Sequence, residues 1–97
     1  NDPYKQIPGA GVYATEVRMH DTWLPAMTYI GTRPTINGQF NNIETHLFDF
    51  EGDLYGKTIE VAFRCHMRHD LKFDGLEALT QQIAVDERKV RLYFGLV

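Results

Sequence analysis

The stretch KTIEVAFRCHM, Lys57 to Met67, decides the fold class. Polar and apolar residues alternate along it, and a period of two is typical of a β-strand with one face on a core. That core face is predicted to be continuous and to consist of Ile59, Val61, Phe63, Cys65 and Met67. We therefore predict a strand here.

Three segments upstream are also rich in β-branched and aromatic residues and are separated by Gly and Pro, which favours strands joined by turns. They are Gly11 to His20, Leu24 to Gly31 and Phe40 to Phe50. Because the third and fourth strands are close in sequence, we predict that they pair as an antiparallel hairpin with a longer loop.

The sequence period changes after Phe73. Asp74 is a candidate N-cap with Glu77 as its capping-box partner, and apolar residues then recur at helical spacing. The pattern predicts one amphipathic helix over about 75–94, after strands over about 11–67. Strands followed by one helix indicate an antiparallel sheet or small barrel that the helix covers.

The composition limits the possible classes of protein. The 97 residues, 43% apolar and 24% charged, suit one domain over 1–97. A net charge of -3 argues against a nucleic-acid partner, which selects a basic surface. No apolar run is long enough for a membrane span, and the single Cys65 favours a reducing compartment, so we expect a cytoplasmic domain.

Two motifs are better explained as ordinary structure. Gly52 to Thr58 resembles a phosphate-binding loop but has three residues between its glycines instead of four, and it precedes a strand rather than a helix. Cys65, His66 and His69 invite a metal site, but Cys65 and His66 lie on opposite faces of the predicted strand. We predict no metal ligands in this chain.

Glu44 has two possible interpretations. Alternation places it on the face of the third strand that carries His46, Phe48 and Phe50. Either this face is solvated with scattered aromatic residues, or a carboxylate lies beside apolar surface and is suited to act as a base. The residues alone favour the first interpretation and leave both open.

Several segments, taken in order and with their spacing, resemble the riboflavin kinase family, in particular the kinase module of bacterial bifunctional enzymes that also make FAD. The likeness runs from about Pro8 to Arg91. Its segments are Gly11-Val12-Tyr13-Ala14, Ile30 to Thr35, Ile43 to Phe50, Asp53 to Lys57, Met67-Arg68 with Phe73, and Gln82-Ile83 with Asp86.

The resemblance implies a six-stranded antiparallel Greek-key barrel with a C-terminal α-helix. It implies phosphorylation of riboflavin to FMN with ATP and Mg²⁺, a phosphotransferase reaction on an alcohol acceptor. Glu44 is then the catalytic base for the ribityl 5'-hydroxyl. Arg68 and Phe73, in the loop before the helix, become candidates for flavin or phosphate contact.

The resemblance also implies a partner domain and a Mg·ATP-binding segment outside this chain. An N-terminal FMN adenylyltransferase domain is expected in the parent protein, and the family's Mg·ATP segment is expected before the first residue of this chain. Pro34-Thr35-Ile36-Asn37 resembles that segment superficially and is not assigned its role. We expect this chain alone to be weakly active or inactive, and the alternative function is a non-catalytic flavin- or FMN-binding module.

Overall fold

A computed structural model describes residues 8–50, 52 and 59–96. These residues form four strands and one helix: β1 Gly11–Met19, β2 Thr22–Thr35, β3 Gly38–Leu47, β4 Glu60–Arg68 and α1 Leu76–Tyr93. The strands form one antiparallel sheet in the order β3-β2-β1-β4. The predicted mainly β fold with a C-terminal helix is confirmed, and the described residues contribute four strands of an unclosed sheet.

The predicted hairpin between the third and fourth strands is wrong. β4 pairs with β1, and β3 pairs with β2 around a two-residue turn, with Thr35 opposite Gly38. β2 is longer than predicted, and β3 begins two residues earlier than predicted, because the chain turns only at Ile36 and Asn37. Gly38, the first residue of β3 after this turn, has a φ of 138°, which glycine adopts without strain.

The continuous apolar face predicted for β4 is also wrong. The pairing of β4 with β1 shifts register twice, between Val12 and Tyr13 and again between Ala14 and Thr15. Phe63 therefore pairs with Thr15 on one face of the sheet, while Cys65 pairs with Ala14 on the other. Each irregularity inserts one unpaired residue, and this reverses the direction of the side chains that follow. The predicted strand start at Lys57 and the Asp53 to Lys57 motif lie outside the described residues.

One face of the sheet carries a chain of hydroxyl groups across three strands. The Oγ1 atoms of Thr15 and Thr28 are 2.9 Å apart, and so are those of Thr28 and Thr45. Thr15 and Thr28 are fully buried beside Val17 and Ile30. The hydrogen bonds satisfy these polar groups, so they are tolerated in an apolar layer.

The opposite face of the sheet packs against α1. Val90 of the helix is fully buried and forms a cluster with Ala14 and Phe48. The helix begins after Gly75, and no side chain caps its first turn, so the predicted N-cap at Asp74 is wrong. Packing of the apolar side of α1 therefore holds the helix in place without a capping box. In the described part of the chain, no helix is long and apolar enough to span a membrane.

Candidate functional site

A cavity of about 680 Å³ lies between the sheet, the start of α1 and the loop of residues 69–75. Part of its wall is apolar and consists of Val12, Met27, Leu71, Phe73, Leu79 and Ile83. Polar side chains complete the wall, among them Tyr29, Glu44, Arg68, Asp70 and Asp86. The three residues predicted to form the site, Glu44, Arg68 and Phe73, therefore line one cavity.

The sheet register sets the spacing of these residues. Arg68 of β4 pairs with Val12, Val12 with Tyr29, and Tyr29 with Glu44, so the four lie in one row across the sheet. Side chains in such a row lie on the same face. Three strand spacings separate Arg68 from Glu44, about 14 Å for an ideal flat sheet. The cavity therefore has an Arg68 end and a Glu44 end.

Single hydrogen bonds between exposed groups hold the Glu44 end. Asn42 Nδ2 donates to Glu44 Oε2 over 3.0 Å. The Tyr29 hydroxyl donates to Asp70 Oδ1 over 3.1 Å and so connects β2 to the loop before α1. Burial raises the pKa of Tyr29, and the hydrogen bond to Asp70 and the nearby carboxylate charges raise it further. Tyr29 thus remains a donor at neutral pH.

Gly31 makes room for the Tyr29 side chain. A Cβ added at Gly31 would lie 2.5 Å from the Tyr29 hydroxyl oxygen and 2.8 Å from a ring carbon. Because alternate residues of a strand face the same side, the tyrosine ring lies along β2 over the bare backbone of Gly31. The absence of a side chain at this position lets the phenol reach Asp70.

A buried ion pair holds the Arg68 end. Arg68 Nε donates to Asp86 Oδ1 over 2.8 Å and Nη2 donates to Asp86 Oδ2 over 2.7 Å. Gln82 Nε2 donates to the same carboxylate, and Arg68 Nη1 donates to the carbonyl oxygen of His69. The hydrogen bond to Asp86 raises the pKa of Arg68. The guanidinium lies 5.9 Å from the centre of the Phe73 ring.

These groups divide the cavity by polarity. Phe73, Leu79 and Ile83 provide apolar surface near the fixed guanidinium, while Glu44, Tyr29 and Asp70 provide hydrogen-bonding groups. Such a cavity suits a ligand with a flat apolar part and a polar chain. A carboxylate at the polar end can accept a proton from a hydroxyl group of that chain.

A magnesium site is not completed by the described residues. Within 8–50, 52 and 59–96, no three His, Cys, Asp or Glu side chains come together. Thr35 and Asn37 lie at the tip of the β2–β3 hairpin, about 20 Å along the strand from Glu44. The Pro34 to Asn37 segment thus lies too far from Glu44 to form one metal site with it.

Sequence reasoning missed the roles of two cavity residues, Tyr29 and Asp86, and of Gly31, which makes room for the Tyr29 side chain. One signal for Asp86 was present, since it is a charged residue in line with Leu79, Ile83 and Val90 on the apolar side of α1. A charged side chain on such a face is costly to bury unless it forms an ion pair or hydrogen bonds, so its position predicts a bonding partner. Tyr29 and Gly31 gave no local signal, because only the pairing with β3 brings Tyr29 opposite Glu44 and Gly31 opposite Asn42.

The fold and the cavity define an antiparallel sheet domain with a C-terminal helix across one face. A solved structure described as a macrolide-efflux protein from Streptococcus pneumoniae is similar, with a TM-score of 0.80 and 33% identity. The match covers 88% of this chain and 28% of that one.

The comparison with protein families is more specific. The riboflavin kinase family model matches residues 1–94, and the chain belongs to this family. The predicted family is thereby confirmed.

Curated relatives carry the name bifunctional riboflavin kinase/FMN adenylyltransferase. The protein from Escherichia coli strain K12 is 44% identical over 90 residues, which cover 92% of this chain and 29% of the relative. The protein from Haemophilus influenzae is 39% identical over 95 residues, or 95% of this chain and 30% of the relative. The one from Bacillus subtilis is 32% identical over 92 residues. The chain thus spans under a third of the length of these relatives.

Proposed function

We propose that this chain is the riboflavin-phosphorylating part of a bifunctional riboflavin kinase/FMN adenylyltransferase. It transfers the γ-phosphoryl group of ATP to the 5'-hydroxyl of riboflavin and releases FMN and ADP. One observation carries the proposal: in a chain of this family, a single cavity contains Glu44 at a polar end and Phe73 beside Arg68 at the other.

The Arg68 end binds the isoalloxazine ring. Phe73, Leu79 and Ile83 supply apolar surface for a flat ring system, and its burial there drives binding. Arg68 uses three of its five N–H donors on Asp86 and His69, and its guanidinium lies over the Phe73 ring, so we assign it ring contact. The ribityl chain then extends along the row of residues toward Glu44.

Glu44 is the base at the other end. Its carboxylate accepts the proton of the 5'-hydroxyl while the new bond from that oxygen to the γ-phosphorus forms and the bond to ADP breaks. Asn42 orients the carboxylate through Oε2 and leaves Oε1 for the substrate. Tyr29 and Asp70 provide hydrogen bonds for the other ribityl hydroxyl groups.

The proposal includes ATP and Mg²⁺ as co-substrate and divalent ion, and a cytoplasmic location for the parent enzyme. Riboflavin kinases generally use ATP with a divalent metal. The described residues do not complete a site for this ion. An FMN adenylyltransferase domain as covalent partner belongs to the same proposal, since the relatives are bifunctional.

Two measurements test the proposal. Riboflavin affinity is measured by quenching of flavin fluorescence, and FMN formation with Mg·ATP by chromatography. Both use this chain and a version extended at its N-terminus by the segment that precedes the matched region in the Escherichia coli relative. Each version is prepared as wild type, Glu44→Gln and Glu60→Gln, the last being an exposed β4 carboxylate bound to Arg18 as a matched control.

We expect both wild-type versions to bind riboflavin and the extended one to produce FMN. Glu44→Gln lowers kcat by roughly 10²–10⁴, the usual contribution of a positioned base, and leaves riboflavin affinity nearly unchanged. Glu60→Gln changes neither. Equal turnover by Glu44→Gln and wild type would exclude Glu44 as the base. Flavin binding without turnover in the extended protein would favour the binding-module alternative.

A further inference from the structure

Asp86 is a buried carboxylate to which the proposed reaction gives no role. It lies on α1 with 3% of its surface exposed. It accepts hydrogen bonds from Arg68 Nε, Arg68 Nη2 and Gln82 Nε2, all between 2.7 and 2.9 Å. A carboxylate is rarely buried without such partners, because loss of its hydration is costly.

Through Arg68, this carboxylate reaches the loop between β4 and α1. With two of its nitrogen atoms bound to Asp86, the guanidinium plane is fixed, and the third nitrogen donates to the His69 carbonyl over 2.9 Å. The same guanidinium lies over the Phe73 ring. Asp86 therefore fixes one group that contacts both the beginning of the loop and the aromatic wall of the cavity.

We propose that Asp86 is a positioning residue for flavin binding, which acts by holding Arg68 and, through it, the loop of residues 69–73. This inference rests on the proposed function and adds a residue that does not itself touch the reacting atoms. A bidentate pair fixes orientation as well as distance, which is what a wall for a flat ring requires.

The alternative is that the pair merely attaches α1 to the sheet. Two observations favour positioning. Val90, Ala14 and Phe48 already pack the helix on the sheet, and Arg91 bonds to Asp49 at the end of β3. In addition, a buried ion pair generally adds little net stability over an apolar pair, whereas it does specify geometry.

The test compares four proteins: wild type, Asp86→Asn, Arg68→Lys and Glu77→Gln. Asp86→Asn removes the charge and one acceptor of the pair. Arg68→Lys keeps the net charge but cannot form the two-pronged contact. Glu77→Gln is the control, because Glu77 is an exposed carboxylate of the first turn of α1. Riboflavin affinity, urea unfolding and amide hydrogen exchange are measured for each.

We expect Asp86→Asn and Arg68→Lys to weaken riboflavin binding by roughly 10–100-fold, the cost of losing a charged hydrogen bond. Amides of residues 69–73 should exchange faster in both variants, while those of β1 and β2 keep their protection. Glu77→Gln should match wild type in every measurement.

Two results would overturn the inference. Urea unfolding, extrapolated to water, gives the fraction of each variant that is unfolded in the binding assay. If riboflavin affinity falls only in proportion to that fraction, Asp86 has a purely structural role. If exchange in the loop is unchanged in both variants, Asp86 does not position it, whatever the affinity. Should the wild type itself not bind riboflavin, the proposed function fails, and the exchange data still decide whether Asp86 holds the loop.

Discussion

The two ends of the cavity are built in opposite ways. At the Arg68 end, a two-pronged pair with 16% and 4% of its side chains exposed is supported by Gln82 and a backbone carbonyl. At the Glu44 end, the polar side chains are solvent-accessible and share one hydrogen bond each, Asn42 with Glu44 and Tyr29 with Asp70.

Under the proposed function, this difference assigns ring binding to the Arg68 end and the chemical step to the Glu44 end. A ring-binding wall benefits from groups fixed before the ligand arrives, because less order is lost on binding. The reacting end must admit a second substrate and release a product, so few fixed contacts are an advantage there. Changes at the Arg68 end should therefore act on affinity, and changes at the Glu44 end on turnover.

After Glu44→Gln, the largest effect that would sharpen this contrast is expected for Phe73→Ala. Removing the aromatic wall should weaken riboflavin binding by roughly 10–100-fold, since buried aromatic surface dominates such sites. In the extended protein, kcat should change little. Leu92→Ala is the control, because Leu92 is 74% exposed. A fall in kcat with unchanged KM would contradict the division between the two ends.

Asn42→Ala tests the opposite end. Without the Nδ2 donor, the Glu44 carboxylate is free to rotate away from the substrate hydroxyl, and kcat should fall by about tenfold. KM for riboflavin should stay near the wild-type value. Asn41→Ala is a close control, since its side chain lies on the other face of β3. If steady-state kinetics show a changed KM with an unchanged kcat, the Glu44 end does not act on turnover and the division between the two ends is wrong.

Tyr29→Phe should have a smaller effect, because Asp70 is exposed and loses only one neutral donor. We expect a loss of affinity of about threefold. The pKa of Tyr29 is raised in the folded state. The neutral phenol therefore contributes folding stability that is present below the ordinary tyrosine pKa near 10 and is lost as pH rises through the folded-state pKa. The free energy of unfolding of the wild type should decline more steeply in that alkaline range than that of Tyr29→Phe, as urea unfolding measures.

The smallest effect concerns a second arginine–aspartate pair, outside the cavity. Arg91 donates to both Asp49 oxygens over 3.2 Å, but 71% of the Asp49 side chain is exposed. The hydrogen bond from Arg91 lowers the pKa of Asp49. A lowered pKa gives stability that is present above the unfolded value near 4 and is lost as pH falls through the folded value.

Asp49→Asn should therefore leave urea unfolding at pH 7 almost unchanged and slightly flatten the loss of stability below pH 4. Exposed ion pairs contribute little to the free energy of unfolding. Asp49→Asn therefore gives the smallest effect expected from an arginine–aspartate pair, for comparison with the buried carboxylate of Asp86. A destabilisation at pH 7 as large as that of Asp86→Asn would show that burial is not what distinguishes the two pairs.

Sequence patterns predicted the elements better than their arrangement. The periodicities of β1, β4 and α1 are local, and they gave a helix over about 75–94 where the structure has Leu76–Tyr93. Strand pairing is not local, and proximity in sequence suggested the wrong partner for β4. The Asn37-Gly38 dipeptide beside the β2–β3 turn is a local signal in the sequence, whereas the two register shifts in β4 have none.

The site residues show the same limit of sequence-based prediction, since local motifs can be predicted and long-range contacts cannot. Glu44, Arg68 and Phe73 were predicted from the family resemblance, because each lies in a short motif that can be read along the chain. Tyr29 and Asp70 lie 41 residues apart and meet only after the sheet and the loop are assembled. Residues whose role depends on such long-range contacts cannot be predicted from periodicity or spacing.

The hydroxyl chain of Thr15, Thr28 and Thr45 has a consequence for how this sequence can evolve. Each hydroxyl group has a single proton, so Thr28 can donate to at most one neighbour, and at least one of its two hydrogen bonds is donated by Thr15 or Thr45. Replacing Thr28 alone leaves two hydroxyl groups without their partner. The three positions are therefore expected to vary together among homologues, as a set of threonines or serines or as a set of aliphatic residues.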